Sequence, residues 1–395
     1  MPTTMLKFFI GLFLFLALIG AAYYFVGLPP STIEEKKVEV QPIAIGFIGP
    51  LSGDSASYGA PIKNSIALAV RDLKTQGKKV DVIYEDGKCS GDDARTAFLK
   101  LFNENKINII IGGVCSGETL AIAPLAEEKA VIVFSPSAAS PDITNAGTFV
   151  FRNNPSDTYG GKVLGELLAQ KYKDIAIISD NTEYAQILRK IFLEKYNEGD
   201  GEVLVDEVST PDAKDFKAII SNVKKSKAEA VIINSQTEQT AGTLVKVIRN
   251  AKINLPLYGH LLPAGAKFLE VAGKTAEGLT FTDVPALDID NIRVSAFLED
   301  YRKNYGASSQ EFYMGAAYDA VNILVQAVEK AGNDPLKIRD YLYNLPEYDG
   351  LIGKYSFDLN GDVVGIDLVL KQIRDGKAED MLATSTSETL NFRIE

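Results

Sequence analysis

From Pro42 onward the chain repeats one unit: a short apolar run, a turn of Gly, Ser or Asp, then apolar residues at helical spacing. Ile43–Ile48 predicts a strand and Gly49–Gly53 a loop. A helix follows from about Ala60 to Lys74, with Ile62, Ile66, Ala67, Ala69, Val70 and Leu73 on its inner face. The next strands are Val80–Tyr84, Ile109–Ile111 and Val131–Phe134. Helices near Asp92–Asn105 and Glu118–Glu128 separate them, and the short strand Thr148–Arg152 closes this half. A second series has helices near Thr158–Lys171, Glu183–Tyr196, Asp215–Lys225 and Gln239–Ala251. Its strands are Ile175–Ser179, Val203–Val208, Ala230–Asn234 and Leu255–Gly259. Such alternation predicts right-handed βαβ units and parallel sheets covered on both faces. Two similar half-chains therefore predict an α/β protein of two doubly wound lobes. Helices Ile292–Tyr305 and Phe312–Ala331 come later, then a strand pair, Tyr355–Asp358 and Val363–Lys371, around the turn Asn360-Gly361.

The stretch Ile109–Thr119 stands out. Three β-branched residues suit a strand buried on both faces, and Gly112-Gly113 allow a sharp turn close to a neighbour. Ser116 then falls near a helix N-terminus, where unpartnered N–H groups attract a carboxylate or phosphate. An ordinary βα loop with a serine cap has the same sequence. In open α/β sheets ligands bind beyond the carboxyl ends of the strands. The loops there are Leu51–Tyr58, Cys115–Thr119, Ser135–Pro141, Asp180–Tyr184, Asn234–Glu238 and Gly259–Leu262. They offer hydroxyls, amides and the tyrosines Tyr58 and Tyr184, with little positive charge. That inventory suits a small polar molecule covered by aromatic walls. No phosphate-binding G-x-x-x-x-G-K-[ST] occurs, and Gly46-Phe-Ile-Gly49 is not a dinucleotide fingerprint.

Length and charge narrow this further. The chain has 395 residues, comfortable for two lobes, and a net charge of −11 that disfavours nucleic acid. One histidine, His260, and two cysteines argue against a structural zinc site. No cofactor or metal is expected. After Lys7 the run Phe8–Val26 is uncharged and long enough for a bilayer span, with residues 1–7 on the cytoplasmic side. An uncleaved transmembrane anchor over residues 8–27 is expected, with a secretory signal peptide as the alternative; either one exports the rest. Residues 28–41 read as a polar linker and 381–395 as a polar tail. Outside the cytoplasm two thiols usually pair, so Cys89 and Cys115 are expected to link the loop after the second strand to the turn after the third.

Gly113-Val114-Cys115-Ser116-Gly117 also has the outline of a cysteine nucleophile elbow. Catalysis would need a histidine base, and His260 lies on a loop of the other half-chain. With Cys89 available as a disulfide partner, the chain is read as no enzyme.

Several pieces, in order, carry a family resemblance: Ile45–Gly53 with Tyr58-Gly59, Glu85-Asp86 ahead of Cys89, and Ile111-Gly112 to Cys115-Ser116. Ser135–Pro141, Phe151-Arg152 to Asp157, Tyr318-Asp319-Ala320 and Phe357–Gly361 continue the series. Residues 42–375 thereby resemble the leucine/isoleucine/valine-binding family of substrate-binding proteins, with the type I periplasmic-binding fold. The resemblance implies two hinged lobes, about 42–155 with 285–335 and 156–284 with 336–380. They would close on an amino acid or related compound and deliver it to an ABC transporter permease in the membrane. A ligand-sensing ectodomain or regulatory subunit is the alternative. The resemblance places Ser116, Ser137, Ala138 and Ala139 at the ligand's charged groups, Tyr58 and Tyr184 as walls, and Asp157 near the hinge. Gln236 and Glu238 join from the second lobe. Two departures follow. Ala139 stands where a hydroxyl is common, so Ser137 or Ser140 would substitute. Leu261 stands where an acid meets the ligand's ammonium, so Glu238 or Asp157 would supply the charge, or the ligand lacks an amino group.

Overall fold

The computed structural model describes residues 3–26, 42–53, 55–210, 213–260 and 265–381. The chain separates into two units, Met1–Gln41 and Pro42–Glu395. In the first, α1 (Thr3–Val26) is a helix of 24 residues. Its described side chains run unbroken only from Ile10 to Ala21. Among the described residues no helix is long and apolar enough to cross a membrane. The expected linker, residues 28–41, and nearly all of the expected tail lie outside the described residues.

The second unit begins with β1 (Ile43–Gly49), α2 (Ala56–Thr75), β2 (Val80–Asp86), α3 (Gly91–Asn103), β3 (Ile109–Gly112), α4 (Ser116–Lys129), β4 (Ile132–Ser135) and β5 (Val150–Arg152). The five strands form one sheet in the order β2-β1-β3-β4-β5, every pair parallel. Ile109, Ile110 and Ile111 have no exposed surface, as a strand covered on both faces requires.

The second series is α5 (Asp157–Lys171), β6 (Asp174–Asp180), α6 (Glu183–Tyr196), β7 (Glu202–Ser209), α7 (Lys217–Lys225), β8 (Ala230–Asn234), α8 (Glu238–Asn250), β9 (Leu257–Gly259), α9 (Ala266–Ala272) and β10 (Thr280–Asp283). The chain then returns through α10 (Ile292–Tyr305), α11 (Glu311–Ala331), α12 (Pro335–Tyr343), β11 (Tyr348–Asp349), β12 (Lys354–Phe357) and β13 (Val363–Val364). It ends in β14 (Val369–Arg374) and β15 (Lys377–Asp380). The larger sheet has the order β15-β14-β10-β9-β8-β6-β7, parallel except for β14 and β15 at one edge.

Three expectations change here. Val363–Lys371 is not one strand: Gly365, at φ +102°, breaks it, and its second part pairs with β10 in the larger sheet. β10 and α12 were not read from the sequence. The lobe boundary also moves, because Ile338, Leu342, Tyr355, Phe357, Val363 and Ile366 pack into the core of the first sheet. The stretch from 336 to 366 thus belongs with residues 42–152, and only β14 and β15 return to the second lobe. Three crossings join the lobes: Arg152 to Asp157, Asp283 to Val284, and Ile366 to Val369.

Candidate functional site

At the end of β3 only glycine fits. A Cβ on Gly112 would lie 2.0 Å from the Ile48 carbonyl oxygen, and one on Gly113 would lie 2.3 Å from the Glu118 Cβ. The chain turns there and enters α4 at Ser116. Cys115, just before it, is joined to Cys89, with the Cα atoms 5.3 Å apart. Glu118, fully buried, organises both half-cystines: its Oε1 accepts from the Cys89 N–H and its Oε2 from the Cys115 N–H, each at 2.9 Å. Burial pushes its carboxyl up to about 7, against the opposing pull of these amides. With its sulfur in the disulfide, Cys115 has no thiol to act as a nucleophile.

Ser116 is the first residue of α4, after the N-cap Cys115, and its hydroxyl serves another loop. Its Oγ accepts from the N–H groups of Ala139 (3.2 Å) and Ser140 (3.1 Å), which locks the Gly112–Ser116 turn to the Ser135–Pro141 loop. A hydroxyl has two acceptor lone pairs and one proton. With both lone pairs occupied, the Ser116 proton is the group left to donate. Within the loop, Ser135 Oγ donates to the Gly113 carbonyl (2.7 Å) and accepts from the Ala138 N–H (3.0 Å). Ser137 donates to the Val114 carbonyl (2.8 Å), and the Ser140 hydroxyl accepts from the Asp142 N–H. Ala138 is core, and Ala139 is half-buried. Of the two serines expected to replace the hydroxyl missing at Ala139, Ser137 spends its proton on the protein, whereas Ser140 only accepts.

Against this loop stands Asp157, the first residue of α5 and only 2% exposed, whose main-chain N–H donates to the Ala139 carbonyl at 3.0 Å. The Tyr184 hydroxyl, from α6, donates to its Oδ2. Burial raises the Asp157 carboxyl to about 7; Tyr184 and Arg152 oppose that shift and Asp283 adds to it. Tyr58, in the first turn of α2, meets the ring of Tyr313 edge-on, with centroids 5.6 Å apart. Both phenols titrate above their ordinary range, chiefly through burial, with the charge of Asp157 adding to each. Tyr58, Tyr184 and Tyr313 thus gather around Asp157. Sequence reading missed Tyr313 because it sits inside a predicted helix at core spacing. The adjacent aromatics Phe312 and Tyr313, opening a helix of small buried residues, were the available signal.

The second-lobe candidates divide differently. Gln236 donates its main-chain N–H to Asp180 Oδ2 at 2.8 Å, and its side chain is exposed. Glu238 accepts from the N–H groups of Lys267 (2.7 Å) and Phe268 (3.0 Å), at the start of α9. Both bonds fall on Oε2, so the Glu238 carboxylate caps a neighbouring helix through one of its two oxygens. Leu261 lies outside the described residues. His260 is buried against the first turn of α5, where a Cβ on Gly161 would be 2.7 Å from its Cε1. Burial lowers its imidazole to about 4, so it is neutral. The cations whose fields reach Asp157 or Asp283 are both paired, Arg152 with Asp362 and Lys371 with Asp283. Among the described residues no group of acidic, His or Cys side chains is placed to hold a metal.

A family model described as periplasmic binding protein matches residues 42–377. The leucine-, isoleucine-, valine-, threonine- and alanine-binding protein of Pseudomonas aeruginosa is 27% identical over 338 residues. That match covers 83% of this chain and 89% of the relative. Among solved structures, the branched-chain amino acid transporter substrate-binding protein LivJ of Streptococcus pneumoniae, in complex with isoleucine, is 26% identical. It superposes with a TM-score of 0.76, covering 86% of this chain and 98% of that one. An ABC-transporter solute-binding protein of R. palustris, solved with benzoate, shares the fold at 20% identity and a TM-score of 0.75, covering 86% and 96%.

Proposed function

The chain belongs to the periplasmic binding protein family, and from that premise we propose that it captures a free α-amino acid between its lobes for an ABC-type importer. One observation carries the ligand class: the two walls of the crevice have opposite electrostatic character. On the first lobe, the Ser116 hydroxyl proton and the N-terminus of α4 suit a carboxylate. On the second, Asp157 is a buried carboxylate accepting one tyrosine hydroxyl, with acceptor capacity left for an ammonium. A zwitterion matches both walls. A ligand that is only an anion, such as benzoate, would bring its charge toward Asp157 and Asp283.

The anchor belongs to the same reading. The uncharged run Phe8–Val26 after Lys7 supports a membrane-held protein whose binding domain works outside the cytoplasm, opposite a transporter permease. The disulfide fits an oxidising compartment.

A thermal-shift panel tests the ligand. A molecule that binds only the folded state at about 100 times its Kd adds about 2.7 kcal/mol of stability. Leucine, isoleucine and valine are expected to raise the Tm of the full chain by several degrees, with benzoate and sugars inert. Stabilisation by benzoate alone, or by no amino acid, would overturn the proposal.

A further inference from the structure

Arg152 ends β5 with none of its side chain exposed. Each nitrogen of its guanidinium donates at least one hydrogen bond. Nε donates to Asp362 Oδ1 (2.6 Å), and Nη2 donates to Asp362 Oδ2 (3.0 Å) and Thr144 Oγ1 (2.9 Å). Thr144 donates in turn to Asp362 Oδ2 at 2.7 Å. The remaining arm, Nη1, donates to the Ser140 carbonyl at 2.8 Å. A buried ion pair alone would need only Asp362. The bond to Ser140 reaches into the loop that holds Ser116, because the Ser140 N–H is one of the two donors to Ser116 Oγ. Ser140 is also followed by Pro141, whose ring fixes its own φ. The Asp157 N–H holds the segment at the Ala139 carbonyl (3.0 Å), and Arg152 holds its other end at the Ser140 carbonyl.

We propose that Arg152 is a positioning residue for ligand recognition: by holding the Ser140 carbonyl it keeps the Ala139 and Ser140 amides on Ser116 Oγ and aims the Ser116 proton into the crevice. This rests on the amino-acid reading only in its last step. The arrangement of the loop itself is independent of any ligand. Lysine cannot reproduce a planar fork that serves Asp362, Thr144 and Ser140 together.

Amide hydrogen exchange on the ligand-free full chain tests the first step. In Arg152→Lys the Ala139 and Ser140 amides should exchange at least about 10-fold faster, while those of β4 keep their protection. Asp362→Asn breaks the ion pair and leaves the Ser140 bond available, so it should lower the Tm yet keep these two amides within about threefold of wild type. Unchanged protection in Arg152→Lys, or equal loss in both variants, overturns the proposal. The second step is read with L-leucine as probe. Arg152→Lys should weaken binding about 10-fold in wild type and have little further effect in Ser116→Ala. Equal losses in both backgrounds would also overturn it. Failure of wild type to bind L-leucine would instead count against the proposed function, and the exchange result would still decide the positioning role.

Discussion

Replacing Asp157 by Asn is expected to weaken amino-acid binding by about 100-fold or more while leaving the protein folded. The ligand's ammonium would lose its anionic partner inside a closed crevice. Breaking one side of a buried charge pair commonly costs about 3–5 kcal/mol, and each 1.4 kcal/mol is about tenfold in Kd. Without ligand the sign reverses. Burial raises the Asp157 carboxyl to about 7, as it does those of Glu118 and Asp319. Between the ordinary carboxylate range and about 7, the folded protein keeps protons that the unfolded chain has already lost. Stability from these groups is thus fully present at the acid end and declines as pH rises through the folded values. The wild-type Tm should fall between pH 5 and pH 8, and Asp157→Asn should flatten that fall and melt higher at pH 8. Calorimetric titration with L-leucine and melting curves at both pH values check the two halves. Binding within threefold of wild type would remove Asp157 from the ammonium site, and a Tm that rises toward pH 8 would contradict the protonation assigned to it.

Replacing Cys89 and Cys115 together by Ala is expected to be the largest stability loss. The bridge closes a loop with a sequence separation of 26. The chain-entropy model gives about 3.5 kcal/mol for a loop of that size. The loss should not stop at stability. Glu118 holds the amides of both half-cystines, and Ser116 follows Cys115 directly. Freeing the Cys89 loop loosens one of the two groups that orient the buried carboxylate beneath the anchoring turn. We expect the Tm to drop by several degrees and leucine affinity to fall about three- to tenfold at a temperature where the variant remains folded. An unchanged Tm would show that the link is not formed in the protein. A lower Tm with unchanged affinity would make the bridge a brace with no part in shaping the site.

Much of the fold was legible because its strands are near-continuous apolar runs. Ile43–Gly49, Ile109–Gly112 and Ala230–Asn234 are of this kind, and each is followed by a turn and a helix with buried residues on one side. β10 escaped notice because Thr280–Asp283 is short and has a single apolar residue, Phe281, and it becomes a strand through its partners β9 and β14. The lobe boundary was misplaced because burial of Ile338 or Phe357 against the first sheet is a tertiary fact with no local mark. In the site, Ser116 was visible from its glycines and helix start. What it bonds to was not, since the Ala139 and Ser140 amides lie more than twenty residues further on. The partners of Glu238 were hidden for the same reason. Its position at the start of α8 faces the crevice in sequence terms, but its carboxylate is taken by amides about thirty residues away. Tyr184 and Asp157 were placed near the ligand separately, and only the fold joins their hydroxyl and carboxylate.

The most direct measurement compares three ligands of one shape by calorimetric titration of the full chain: L-leucine, L-leucinamide, which lacks the carboxylate, and 4-methylpentanoate, which lacks the amine. If Ser116 with the start of α4 holds the carboxylate and Asp157 the ammonium, both analogues should bind at least about 100-fold more weakly than leucine. Binding of 4-methylpentanoate as tight as that of leucine would contradict this and make the protein a carboxylate receptor with no ammonium site.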